Sequence, residues 1–263
     1  MIQLIGVSKR YGRGPLVVHD IDVEIGPGTP LVVHGVNGSG KSTLLRLIAG
    51  CVAPTHGRVD GRPRTVGYVP DRFPAHLRMP AEAYLRHLQR VRPGSPRGTN
   101  PVPLLSALGF RGGLDTPMNR LSKGNAQKVG LSQALSSGAP LLVLDEPWSG
   151  LDTDARPALT ATVARLAANG TTVVLTDHTR TAETLPEHQV LHLRDGRLTT
   201  AGPRMIMISL RCADPDRVAE HLPPHGTAQR HPGGLHLRVA AADVDALLTI
   251  ALRLGCSVLE VRP

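Results

Sequence analysis

The sequence predicts an α/β fold over residues 1–203, with a helical insert at about 72–136, followed by a small α+β domain over residues 204–263. Three observations carry this. Strand and helix patterns alternate through most of the chain, the order that builds layered α/β domains. The strand patterns are of two kinds: residues 20–25 (Asp-Ile-Asp-Val-Glu-Ile) alternate polar and apolar, whereas residues 31–33, 141–144 and 172–175 are almost continuously apolar. Alternation belongs to a half-exposed antiparallel strand and a continuous apolar run to a strand buried on both faces of a parallel sheet, so two sheets are implied. Beyond residue 203 the pattern changes to β-α-β-β-α-β, the order of a ferredoxin-like domain.

Element by element, residues 2–7 read as a first strand, and the strand at 31–33 runs into a glycine-rich loop and a helical run at 44–49 that Gly50 ends. Residues 72–136 carry no strand signal. Helical spacing appears there at 81–91 and 125–135, separated by a Pro/Gly/Ser/Thr/Asn loop at 93–103. Asp195-Gly196-Arg197 is a turn closing a last strand, and Gly202-Pro203 marks the boundary. The tail then reads strand 205–210, helix 214–221, strand 227–231, a Pro-Gly-Gly turn, strand 235–239, helix 242–254 and strand 257–261.

Composition narrows the class of function. The 263 residues suffice for a large buried core. No apolar run approaches the roughly 18 residues that cross a bilayer, and Met1 opens directly into a strand without a leader, so a soluble, cytosolic chain is expected. Cys51, Cys212 and Cys256 are odd in number and lack metal-ligand spacing, which predicts reduced thiols. The net charge of +9 comes from 30 basic residues of which only Lys9, Lys41, Lys123 and Lys128 are lysines. With 2% aromatic residues there is little on which bases could stack, so the charge reads as a compositional bias and no nucleic acid partner is expected. Apart from His178, the other eleven of the twelve histidines show no paired or helical ligand spacing.

Residues 35–43, Gly-Val-Asn-Gly-Ser-Gly-Lys-Ser-Thr, stand between an apolar strand and a helix. Gly35, Val36, Asn37, Gly38, Ser39, Gly40, Lys41, Ser42 and Thr43 form a phosphate-binding loop in that context. The glycines let backbone N–H groups close around phosphate oxygens, Lys41 reaches the β- and γ-phosphates, and Ser42 can ligate Mg²⁺. A second site follows strand 141–144, where Asp145 can hold the water shell of Mg²⁺ and Glu146 can polarise an attacking water. Taken alone, two acids after a strand are also an ordinary strand-end turn.

With these motifs in order the chain resembles the nucleotide-binding subunits of ATP-binding cassette (ABC) transporters over about residues 2–200. Tyr11 is similar to the family's adenine-stacking aromatic; residues 35–43 resemble the Walker A loop and 141–146 Walker B. Leu121-Ser-Lys-Gly-Asn125 stands where the signature LSGGQ belongs, Ser149-Gly-Leu-Asp152 resembles the D-loop, and His178 the switch histidine. The resemblance implies a mixed-sheet P-loop NTPase core with an antiparallel β subdomain, ATP and Mg²⁺ as cofactors, and catalysis by Glu146, His178 and Lys41. It further implies a head-to-tail homodimer in which Ser122 and Gly124 of one copy, with Asp152 of the D-loop, meet the ATP held by the other. Ser122 is independently an N-cap type ahead of a helix, where a hydroxyl and free N–H groups form an anion site.

Two departures bear on the expectations. Lys123 and Asn125 replace the second-position Gly and final Gln of the usual signature. Asp71 stands where the Q-loop glutamine belongs; its carboxylate can still bind Mg²⁺, so hydrolysis with altered metal dependence is expected. The resemblance implies separately encoded integral-membrane subunits as partners and a peripheral position on the cytoplasmic face of the plasma membrane. Arg72, Arg78, Arg86, Arg90, Arg92 and Arg97 of the insert, against only Glu82, form the expected coupling face, a solvated surface being the plain alternative. The Lys123-bearing signature and the small C-terminal domain resemble those of bacterial drug, antibiotic or lipid exporters, and the resemblance implies export. A soluble ABC ATPase working on ribosomes or nucleic acid stays open as the alternative, and the signature argues against a P-loop kinase. The tail carries no catalytic constellation and is expected to dock on a neighbour and tune stability.

Overall fold

The computed structural model describes residues 1–71, 73, 77–91, 98–178, 181–199, 205–212, 214–222, 226–231, 234–240 and 244–262. The chain divides into two compact units, Met1–Thr200 and Ala201–Pro263. Gly202-Pro203, most of the Pro-Gly-Gly turn, Arg72, Arg92 and Arg97 lie outside the described residues.

In the first unit β1 (Ile2–Arg10), β2 (Leu16–Ile25) and β4 (His56–Asp60) form an antiparallel sheet in the order β2-β1-β4. Its inward faces, with Ile2, Leu4, Val7, Val18, Ile21 and Ile25, are buried, which is the alternation legible at residues 20–25. A second sheet has the order β5-β6-β7-β3-β8-β9, built from β3 (Leu31–His34), β5 (Val66–Val69), β6 (Leu141–Leu144), β7 (Thr172–Thr176), β8 (Gln189–Arg194) and β9 (Arg197–Thr199). Every pairing in it is parallel except β8 with β9. All residues of β6 and β7 are buried, as their continuous apolar runs require. The turn Asp195-Gly196 joins β8 to β9 with φ of 49° and 71°, the left-handed pair of a tight hairpin.

Among the described residues five α-helices complete the unit: α1 (Lys41–Ala49), α2 (Ala81–Val91), α3 (Val102–Ala107), α4 (Lys123–Leu135) and α5 (Ala155–Ala168), with short 3-10 turns at Met118–Arg120 and Thr181–Thr184. One core joins α1 and the antiparallel sheet to one face of the parallel sheet. Another packs α4 and α5 with Trp148 against its other face, and a third, around Leu85, Leu105 and Met118, sits within the helical insert. Helix α3 begins inside the segment expected to be a loop, at Val102 just after Pro101; its N-terminal prolines read as a breaker but suit a first helical turn. Phe73 enters the insert through a gap at Gly130, where a Cβ would stand 2.5 Å from the Phe73 ring.

The consequence for function lies in strand order. Adjacent parallel strands β5, β6, β7 and β3 all point their carboxyl ends to one edge, and the loops that follow carry Asp71, Asp145 with Glu146, His178, and residues 35–43. Ligands of open α/β sheets bind at that edge.

The second unit holds β10 (Met205–Arg211), β11 (Thr227–His231), β12 (Gly234–Ala240) and β13 (Ser257–Arg262) in one antiparallel sheet of order β11-β12-β10-β13. Helices α6 (Pro215–Ala219) and α7 (Val244–Arg253) join it. Ile208, Leu210, Val218, Leu235, Leu237, Val239, Leu247 and Ala251 are buried in a core of its own.

Candidate functional site

The loop after β3 is shaped by its glycines. Gly38 and Gly40 have φ of 81° and 102°, and a Cβ on Gly35 would lie 2.4 Å from the Leu193 carbonyl oxygen and 2.5 Å from the Ser39 hydroxyl. A side chain at Gly35 would force the loop open, and one at Gly38 or Gly40 would strain the backbone. Lys41 is buried at the start of α1, and its Nζ donates to the carbonyls of Gly35 (2.7 Å) and Val36 (3.2 Å). Among the described residues the ammonium thus sits among dipoles with no carboxylate against it, and the buried Ser39 hydroxyl has no hydrogen-bond partner. Both are groups that a phosphate would satisfy, so the residues fit a nucleotide.

Beside the loop lies a cavity of about 280 Å³ lined by Asn37, Gly38, Gly40, Lys41, Ser42 and Thr43 together with Val17, Asp71 and Glu146. Ser42 and Asp71 supply oxygens that suit Mg²⁺. Asp145 is buried at the end of β6; its N–H donates to the Val69 carbonyl at 2.8 Å, and its Oδ1 accepts from the Thr176 hydroxyl at 2.8 Å. Glu146 adopts φ of 52°, a left-handed conformation that costs a residue with a Cβ about 1–3 kcal/mol. Three contacts hold it there: its N–H donates to Thr176 Oγ1 (2.8 Å), its carbonyl accepts the Ser149 N–H (2.9 Å), and its Oε2 meets His178 Nδ1. Glu146 is therefore aimed at the cavity by structure around it, with His178 behind it.

The signature segment is placed differently. Ser122 caps α4, its hydroxyl accepting the Asn125 N–H at 3.2 Å, and it is exposed. None of Ser122, Lys123 or Gly124 lines the cavity of its own chain. Gly124 has an intrachain reason to be glycine, since a Cβ there would stand 2.7 Å from the Gly150 carbonyl oxygen. Asp152 is likewise engaged within the chain: its Oδ2 accepts from Lys128 Nζ at 2.8 Å and its Oδ1 from the Ala155 N–H at 3.0 Å. Tyr11 is 44% exposed in the turn between β1 and β2, with Lys9 Nζ 5.3 Å from its ring centroid, and is not among the cavity residues.

Three residues of the site escaped sequence reasoning. Thr176 touches both acids. Buried Lys128 ties α4 to Asp152 and, at 2.9 Å, to the Gly109 carbonyl. Buried Gln127 reaches the Pro70 carbonyl at 3.5 Å, beside Asp71. The signal available for Lys128 and Gln127 was their charge and polarity inside a helix otherwise buried from Ala126 to Leu135. The three cysteines are free, and no group of three metal-ligating side chains occurs among the described residues.

Two groups make the unit's stability depend on pH. Burial, then the neighbouring His192, holds the His34 imidazole below its ordinary value, against the opposing charges of Asp177 and Glu183. The Lys128 contact, then the Ala155 N–H, holds the Asp152 carboxyl below its ordinary value. The depressed histidine withholds a proton that the unfolded chain takes up, so stability falls as pH drops below about 6.5. The depressed carboxyl contributes stability that is present above about 3.9 and lost at lower pH. The second step is the shallower, because the Asp152 side chain is 41% exposed and screened. Denaturation midpoints followed from pH 7 to 3 should be flatter below about pH 6.5 in His34→Gln and below about pH 4 in Asp152→Asn. Unchanged slopes in both variants would refute these assignments.

A strand–glycine loop–helix with a buried lysine, an acid pair on the neighbouring strand and a histidine against the second acid define a P-loop nucleoside triphosphatase. Residues 18–149 match the ABC transporter family. The chain is 35% identical over 180 residues to the zinc import ATP-binding protein ZnuC of Yersinia enterocolitica, covering 68% of this chain and 70% of that one. It is 31% identical over 208 residues to ZnuC of Yersinia pseudotuberculosis, covering 78% and 81%. A solved ATP-binding subunit of an ABC transporter superposes with a TM-score of 0.66 at 27% identity, covering 76% of this chain and 89% of that one. The dimeric bacterial cassette MJ0796 superposes equally well, at 0.66, but at 23% identity it shows the fold alone. The chain belongs to the ABC transporter family and is its ATP-binding, ATP-hydrolysing subunit, using ATP and Mg²⁺. The expectation of export finds no support in these comparisons, in which the two ZnuC relatives carry the names of import proteins.

Proposed function

We propose that this chain hydrolyses ATP between two copies of itself and drives separately encoded membrane-spanning subunits from the cytoplasmic face of the membrane. The observation that carries the reading is the convergence of Lys41, Ser42, Asp71 and Glu146 on one cavity, with Asp145 and His178 directly behind. Residues 35–43 wrap the phosphates, Lys41 pairs with the β- and γ-phosphates, and Tyr11 stacks on adenine. Ser42, Asp145 and Asp71 would hold Mg²⁺, which when bound would draw charge off the phosphate oxygens. Glu146 orients and polarises the attacking water, and His178 keeps the Glu146 carboxylate turned to it. Ser122 and Gly124 of the partner copy complete the site at the γ-phosphate, with Asp152 bracing the segment beside them.

No helix among the described residues is long and apolar enough to cross a membrane, and in this reading the transport path belongs to another chain. Arg78, Arg86 and Arg90, with Glu82 bound to Arg86, form the face that meets it. The relatives' names weigh toward import; cargo selection belongs to the membrane partner. Residues 204–263, within the second unit, form a ferredoxin-like module that tunes stability or regulation. Purification of the full chain from detergent-solubilised membranes tests the reading: a polytopic membrane protein should accompany it in fixed stoichiometry and raise its ATPase rate. Recovery with ribosomes or nucleic acid, and no membrane protein, would favour the soluble alternative.

A further inference from the structure

Thr176 ends β7 inside the sheet and is fully buried. Its hydroxyl lies 2.8 Å from Asp145 Oδ1 and 2.8 Å from the Glu146 nitrogen. A threonine hydroxyl donates one hydrogen bond and accepts two. The Glu146 amide can only donate, so the hydroxyl accepts from it and gives its own proton to the Asp145 carboxylate. The chain Glu146 N–H to Thr176 to Asp145 therefore runs in one sense. We propose that Thr176 is a positioning residue for ATP hydrolysis, whose single hydroxyl fixes the Mg²⁺-binding acid and the water-orienting acid relative to each other.

The backbone explains why such a tie matters. Glu146 sits at φ 52°, a conformation that surrounding contacts have to impose. Its carbonyl is held by the Ser149 N–H and its carboxylate by His178, but both of those partners lie on loops. Thr176 is the tie from a buried strand. Asp145 is fixed on its other side by β5, through the Val69 carbonyl. The two acids are thus clamped between neighbouring strands on either side of β6, and Thr176 is the half of the clamp that touches both. The plain alternative is that Thr176 is a β-branched residue filling a buried strand position, for which valine would serve equally well.

Steady-state ATPase kinetics of the full chain decide between them, with direct binding of Mg²⁺-ATP as the second readout. Thr176→Val keeps the shape and removes the hydroxyl; it should lower kcat about 10- to 100-fold while KM and ATP affinity stay within about threefold. Thr176→Ser keeps the hydroxyl and removes the methyl, and should stay within about threefold of the native kcat. Native turnover in Thr176→Val overturns the proposal, and so does a Thr176→Ser chain as slow as Thr176→Val, since packing would then be the cause. If Thr176→Val fails to fold, Thr176→Ala is read against Thr176→Ser in the same way. The inference rests on the roles proposed above for Asp145 and Glu146. Glu146→Gln measured alongside separates the two: an active Glu146→Gln chain removes those roles, whereas an inactive one beside a fully active Thr176→Val removes only this inference.

Discussion

Glu146→Gln should bind ATP with near-native affinity and hydrolyse it at least about 10²-fold more slowly, the contribution typical of a general base or water-orienting carboxylate. The substitution is nearly isosteric. Its backbone ties to Thr176 and Ser149 survive, because they involve main-chain atoms, so the left-handed turn that aims the side chain is retained. Only the carboxylate that faces the cavity and meets His178 is exchanged for an amide. Binding should therefore separate cleanly from turnover, and ATP-bound dimers should accumulate on a sizing column. Native turnover would remove Glu146 from the chemistry and return the acid pair to the rank of a strand-end turn.

The second large effect is expected from Lys41→Ala, and it differs in kind. Lys41 is buried with its ammonium against the Gly35 and Val36 carbonyls, poised where phosphate charge would enter. A charge-assisted hydrogen bond contributes about 1.5–3 kcal/mol, so ATP affinity should fall roughly 10- to 150-fold. Equilibrium binding of ATP checks it. Ser122→Arg should instead leave ATP affinity of the isolated chain within about threefold, because Ser122 lies away from the cavity of its own copy, and yet abolish turnover.

What the sequence made legible was local. Phosphate binding demands glycines, a lysine and a hydroxyl within nine consecutive residues, and two acids at the end of a buried strand are adjacent by necessity, so both were readable without a structure. That there are two sheets followed from alternation in β2 and continuous apolarity in β6 and β7; the mixed order of the second came only with the family resemblance. Strand β4 was not legible because His56-Gly-Arg-Val-Asp60 is mostly exposed and carries no apolar alternation. Helix α5 escaped because Leu159, Val163 and Leu166 are interspersed with small and polar residues, of which Thr160 and Thr162 are themselves buried, leaving no clear stripe. The ties that organise the site were invisible for a different reason. Thr176 stands 31 residues from Asp145, and Lys128 stands 24 from Asp152; only the pairing of β6 with β7 and the packing of α4 bring them together. The room at Gly124, expected to admit a partner's phosphate, is occupied by the Gly150 carbonyl of the same chain. Whatever Gly124 does across a dimer, it first lets α4 lie against the D-loop.

The account stands on an active site shared between two copies, and mixing two inactive chains tests it most directly. Lys41→Ala carries an intact signature segment with a defective phosphate loop; Ser122→Arg carries the reverse. If each site joins the loop of one copy to the signature of the other, a mixed dimer contains one site whose two halves are both native. Half the dimers in an equimolar mixture are mixed, so about a quarter of all sites should be whole and ATPase activity should reappear on mixing. A mixture as inactive as its two components, under conditions where mixed dimers are seen by crosslinking, would contradict a site built from two chains.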